Sequence, residues 1–289
     1  MLKSLQKAFK VKEVRDRLLY TFMMLVVIRI GCCLPIPGVD PSYLHDFFSN
    51  LQNSGMGFFN AITGGSFSSM SIFALSITPY ITSSIIMQLL TIAIPKLEEM
   101  QKDGEDGRKK IAEYTRYLTV GLALFESCAM AVGLGGKGLL LEDHRNIWGY
   151  LTVVAAMTAG SALLMWIGER ITDNGVGNGI SIVLLINIVS GTPQDMMTLY
   201  ERFMAGRSVA VATVSGIIVL AIIVAIVVFV LVLNDAERRI PVQYSKKMQG
   251  RRMIGGQSTY IPLKVNTANV IPVIFASSIM SMPVMIAQF

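Results

Sequence analysis

The sequence predicts an all-α polytopic membrane protein with about seven transmembrane helices and one short re-entrant piece. Three observations predict it. Hydrophobic residues make up 53% of the 289-residue chain and charged residues only 15%, far from a soluble composition. The apolar residues cluster in blocks near 20 long, the length that crosses a bilayer's hydrocarbon core as a helix. Lys and Arg fall almost entirely into alternate connections between those blocks, the asymmetry that fixes membrane topology.

Taken in order, residues 1–17 alternate Lys and Arg with Leu and Phe, a pattern for an amphipathic helix on an anionic inner leaflet. The first apolar block, 18–34, ends at Pro35 and Pro37, which remove donors and restrict their neighbours. Next comes 58–70, uncharged, broken by Gly64-Gly65 and too short to span. The second block, 72–95, runs 24 residues without a charge, long enough to span at about 1.5 Å per residue. It nevertheless carries Thr78, Tyr80, Thr82, Ser83, Ser84 and Gln88, polar groups that in membranes usually face other helices or a cavity. Ile77, Ile81 and Ile85 recur every fourth residue as one aliphatic stripe, with Gln88 close to it. A half-length piece leading into a partly polar span reads as a segment folded back into the protein. An interior helix preceded by an amphipathic loop fits the pattern equally.

Further blocks follow at 117–134, 148–167, 176–190, 208–234 and from 269 onward. Between the second and third, DGEDG at 103–107 reads as a turn between two helix ends. Before the fifth, Gly175, Gly177 and Gly179 alternate, permitting close backbone approach and a broken helix start that Asn178 is suited to cap. Ile180 and Leu184 then stand one turn apart. The sixth block, rich in Val, Ile and Ala, is expected to face lipid widely. The basic loop at 235–263 has two readings: positive charge that merely fixes topology, or a hairpin that meets RNA phosphates or acidic protein faces.

Of the 25 Lys and Arg, 20 lie in the N-terminal tail and the second, fourth and sixth connections; Lys137, Arg145, Arg202 and Arg207 lie opposite. The N-terminus is therefore expected in the cytoplasm. Arg29 and Glu126 fall inside spans, each costing about 2.5–3.5 kcal/mol at mid-membrane. They either pair directly or reach water separately. Cys32, Cys33 and Cys128 sit in apolar blocks and are read as packing residues. With two histidines in all, no metal set converges. No Ser–His, HExxH or paired-aspartate constellation lies in the spans, so neither enzyme chemistry nor a cofactor is expected.

Several stretches together resemble the SecY family, channel subunits of the bacterial Sec protein translocase. They are LPIPGVD (34–40), FFNAITGGSFSSMSIFALSITPYITSSIIMQLL (58–90), DGEDGRKKIAEYTRY (103–117), GNGISI (177–182), and QGRRMIGGQSTYIPLKVN through VIPVIFASS (249–278). The resemblance implies an hourglass channel closed by an aliphatic ring of Ile77, Ile81, Ile180, Leu184 and Ile274. A narrow apolar constriction excludes ions by dewetting, while branched side chains can part around a polypeptide. It implies a plug helix containing Phe58, Phe59, Asn60, Ile62, Gly64, Gly65, Phe67 and Met70. It implies a lateral gate between spans two and seven, with Gln88 and Asn178 in its polar cluster. Arg238, Arg239, Arg251 and Arg252 match the loop presented to the ribosome and to the SecA motor. Implied partners are SecE, SecG, SecA, the ribosome with its nascent chain, signal sequences and membrane lipid, at the bacterial plasma membrane.

Family members have ten spans in two inverted halves. This sequence corresponds to the first seven, with a whole first half at 1–190 and an incomplete second at 191–289. A small-solute secondary transporter and a non-conducting fragment stand as the alternatives.

Overall fold

The computed structural model describes residues 11–40, 60, 63–135, 138, 140–141, 145–242, 247–249, 252–254, 259–267 and 276. The first apolar block gives α1, Lys12–Cys33, which stops where Pro35 approaches. The chain beyond it pairs with a later segment: Ile36 N–H donates to the Met70 carbonyl and Ile72 N–H to that of Leu34, each at 3.0 Å. This short ladder ties the end of α1 to the stretch leading into the second block.

That stretch departs from the expectation. Residues 63–77 form consecutive tight turns, and helix α2 begins only at Thr78, running Thr78–Ala93 over 16 residues. The reason is Pro79. It has no N–H to give the Leu75 carbonyl, and its ring would collide with that carbonyl, so a helix can start here but not run through. Within the expected plug helix Asn60 is helical, but 63–70 is turns, because Gly64 and Gly65 adopt φ of +65° and +80°, outside the right-handed helix. At the far end Pro95 begins α3, Pro95–Lys102, bent 102° away from α2. Nor do the hydroxyls of α2 demand a cavity. Thr82, Ser83 and Thr91 donate to the carbonyls of Thr78, Pro79 and Gln88 in their own helix.

Gly104 makes the turn expected from DGEDG, and α4, Glu105–Leu134, follows with Glu105 and Asp106 in its first turn, where acids suit the helix dipole. It packs antiparallel along α5, Ile147–Asn174. Ser127 Oγ lies 2.8 Å from Thr158 Oγ1, and Arg116 Nε donates to Glu169 Oε1 at 2.7 Å. Both pairs fit one antiparallel register. Helix α6, Gly179–Phe203, contains Pro193.

Close packing divides the chain into two units, Met1–Pro193 with Phe275–Phe289, and Gln194–Ile274. The first has two apolar clusters. One joins Ile36, Phe67, Met70 and Leu75 to α4 and α5. The other joins Ile28 and Cys32 of α1 to Phe73, Ile77, Leu164, Ile167, Ile171 and Val183. The second unit holds α7, Val209–Asp235, with no residue of its apolar core buried, as the plain hydropathy of that block predicts.

The second unit also corrects the all-α expectation. Strands β1, Glu237–Val242, and β4, Thr259–Lys264, pair antiparallel, as do β2, Lys247–Gln249, and β3, Arg252–Ile254, nested between them. The basic loop is a two-part β-hairpin. Among the described residues α5, α6 and α7 can each cross a membrane by length and composition, and the bent pair α2–α3 makes a fourth if it is one span, so the expected count of seven is not confirmed. The expected first and third spans lie within α1 and α4, helices of 22 and 30 residues. The seventh, except Ala276, lies outside the described residues.

Candidate functional site

Ile77 immediately precedes α2 and Ile81 lies one turn inside it. Ile180 and Leu184 are one turn apart near the start of α6, which Asn178 caps: its Oδ1 accepts from the backbone N–H of Ile180 and Ser181 at 3.0 and 3.3 Å. All four aliphatic side chains join the second apolar cluster, Ile77 only 1% exposed and the others half-buried. Two of them, Ile77 and Ile180, meet at Gly168 of α5. A methyl placed there would lie 3.4 Å from Ile180 Cγ1 and 3.7 Å from Ile77 Cδ1. Gly179 in turn abuts the Gly168 carbonyl, so α6 approaches α5 backbone to backbone, as the alternating glycines suggest. Ile274 lies outside the described residues.

Beside this apolar surface lies a polar cluster that the sequence reading did not single out. Asn187 is fully buried. Its Nδ2 donates to Ser76 Oγ at 2.9 Å, and its Oδ1 accepts from the Cys32 thiol at 4.0 Å. One turn on, Ser190 Oγ donates to the Asn187 carbonyl at 2.6 Å and accepts from Arg29 Nη1 at 2.8 Å. Among the described residues Arg29 makes no ion pair with Glu126. The signal for Asn187 was present in the spacing: 180, 184 and 187 share one helical face.

Of the expected plug residues, Gly64 packs on this cluster. A side chain at Gly64 would come 2.6 Å from the Asn187 carbonyl oxygen. Asn60 braces the turn, its Oδ1 accepting from Ser68 N–H at 3.1 Å and its carbonyl from Gly65 N–H at 3.0 Å. Phe67 and Met70 are buried in the first apolar cluster. Phe58, Phe59 and Ile62 lie outside the described residues.

Gln88 and Asn178 are both exposed, and among the described residues no hydrogen bond joins them. The Arg116–Glu169 pair lies within electrostatic reach of Tyr80, beside Ile81, and its hydrogen bond raises the Arg116 pKa above the ordinary value. In the hairpin, Arg238 and Arg239 are exposed on opposite faces of β1. The Arg239 guanidinium stacks 4.7 Å from the Tyr260 ring centre. Arg252 begins β3, and Arg251 is outside the described residues.

The site is thus an aliphatic cluster at the start of two membrane-length or near-membrane-length helices, backed by Gly168 and flanked by the buried amide of Asn187. The fold matches a solved protein-conducting channel with a TM-score of 0.56 at 20% identity, covering 95% of this chain and 58% of that one. It matches Sec61 of the canine ribosome–channel complex from the endoplasmic reticulum with a TM-score of 0.54 at 21% identity, again over 95% and 58%.

Sequence comparison is more specific. Residues 71–289 match the SecY family model. The protein translocase subunit SecY of Streptomyces scabiei is 46% identical over all of this chain and 68% of its own length. That of Corynebacterium glutamicum is 44% identical over 98% of this chain and 64% of its own. This chain belongs to the SecY family, and it spans about two-thirds of the length of these relatives.

Proposed function

We propose that this chain is the pore-forming part of a protein-conducting channel, passing unfolded polypeptides across the plasma membrane and releasing apolar segments into lipid. The carrying observation is the convergence of Ile77, Ile81, Ile180 and Leu184, from segments about a hundred residues apart, in one apolar cluster. Such a constriction excludes water and ions while closed, and it yields because no covalent or ionic bond holds its members together. Ile274 is the fifth member of this reading. Residues 58–70 form the plug on the ring, and Gln88 with Asn178 mark the lateral gate.

The N-terminus is cytoplasmic in this reading, which puts the hairpin's Arg238, Arg239, Arg251 and Arg252 on the side where the ribosome and SecA approach. A solved neighbour is Sec61 in a ribosome–channel complex, which supports ribosome docking, and SecE and SecG complete the assembly. The small-solute alternative loses support, since the relatives are protein translocase subunits.

A secretory chain stalled during transport tests the proposal. A photo-reactive residue at Ile81 is expected to crosslink to it, and one at Val224 on α7 is not. Equal labelling at both positions contradicts a central pore.

A further inference from the structure

We infer that Asn187 is a positioning residue for the ring, the centre of a hydrogen-bonded latch that holds Ile77 closed and sets how strong an incoming signal sequence must be to open it. The inference rests on the channel reading above. Three segments meet at this amide. Cys32 of α1 donates to its Oδ1, Ser76 accepts from its Nδ2, and the Gly64 turn lies against its carbonyl oxygen, where a methyl at Gly64 would come within 2.6 Å. Ser190, bonded to the same carbonyl, carries the connection on to Arg29.

Ser76 is the mechanical link. It directly precedes Ile77, and its φ of +53° lies in the left-handed region, a strained conformation for a residue with a side chain. Strain of this kind persists only where surroundings over-determine it. Here Asn187 holds the hydroxyl at 2.9 Å and Ser161 Oγ donates to the Ser76 carbonyl at 3.3 Å. Releasing the Asn187 bond lets the backbone relax, and the first residue to move with it is Ile77. The same bond, once broken without replacement, leaves the Nδ2 of a fully buried amide without its Ser76 acceptor, and that is the barrier to opening. Asn187 lies seven residues beyond Ile180, on the same face of α6. Parting α2 from α6 at the ring therefore also parts Ser76 from Asn187.

The test compares transport of two precursors through the protein in its own membrane complex. One precursor has an intact signal sequence; the other has a charge in its apolar core. Asn187→Leu and Ser76→Ala are each expected to raise transport of the weakened precursor about tenfold relative to the intact one, the equivalent of one buried hydrogen bond. The double variant is expected to gain no more than Asn187→Leu alone, because that change already removes the bond that Ser76→Ala removes.

A second readout does not depend on transport. In a Cys33→Ser, Cys128→Ala background, Asn187→Leu is expected to speed alkylation of the buried Cys32 thiol by a water-soluble maleimide about tenfold. Variants that transport the intact precursor, gain nothing on the weakened one and leave Cys32 protected overturn the latch. If the unchanged protein moves neither precursor, the channel reading falls, while Cys32 labelling still decides whether these bonds hold the segments together.

Discussion

A methyl added at Gly168 meets Ile180 Cγ1 at 3.4 Å and Ile77 Cδ1 at 3.7 Å, ordinary contact distances. A branched side chain there would wedge the two isoleucines apart. Gly168→Ala is therefore expected to leave stability within about 1 kcal/mol of the original, helped by alanine's helix propensity. Gly168→Val is expected to cost about 1–3 kcal/mol by overpacking. Thermal unfolding in detergent checks the ordering, and equal effects of the two changes would contradict the packing. The stripe Ile77–Ile81 and the pair Ile180–Leu184 were legible in the sequence because spacing of four marks a helical face. Gly168 was not, since one glycine in an apolar block says nothing about which neighbour approaches it. Asn187 was half legible: its face followed from spacing, but its partners Ser76 and Cys32, more than a hundred residues away in the chain, did not.

At the scale of elements, hydropathy located the helices well but misjudged the second. Composition made 72–95 one span, yet Pro79 and the positive φ of Ser76 keep its first part out of the helix. The hydroxyls of α2 suggested a neighbouring helix or a cavity, and those of Thr82, Ser83 and Thr91 proved to be satisfied within the helix. The α4–α5 pairing rests on the register seen at Ser127–Thr158 and Arg116–Glu169. Arg116 and Glu169 side chains remain 48% and 25% exposed, so the pair is a modest contributor. Glu169→Gln is expected to lower stability by less than about 1 kcal/mol. The swap Arg116→Glu with Glu169→Arg should recover more than half of the loss of either charge change alone. A double-mutant cycle showing simple additivity would mean that the two side chains do not interact.

Across the whole molecule, the membrane class could be read from residue order, through its blocks of apolar residues. Helical spacing marked two separate aliphatic faces, their meeting was implied only by the family resemblance, and the basic hairpin was one of two readings of its loop. The number of crossings was less legible, because an apolar block records greasiness and not whether its backbone runs straight, and α2 with α3 is bent by 102°. The all-α expectation failed at 237–264 for a related reason: the outer strands β1 and β4 are exposed and so lack the buried alternation that announces a strand. In the function proposed above, side chains at the start of α2 and of α6 close one apolar constriction. Ion conductance across a planar bilayer containing the purified complex measures that closure directly. The unchanged protein is expected to hold the bilayer sealed, and replacing Ile81 and Leu184 together by serine to open a steady ion leak by wetting the constriction. A bilayer that stays equally tight after both substitutions would contradict the ring.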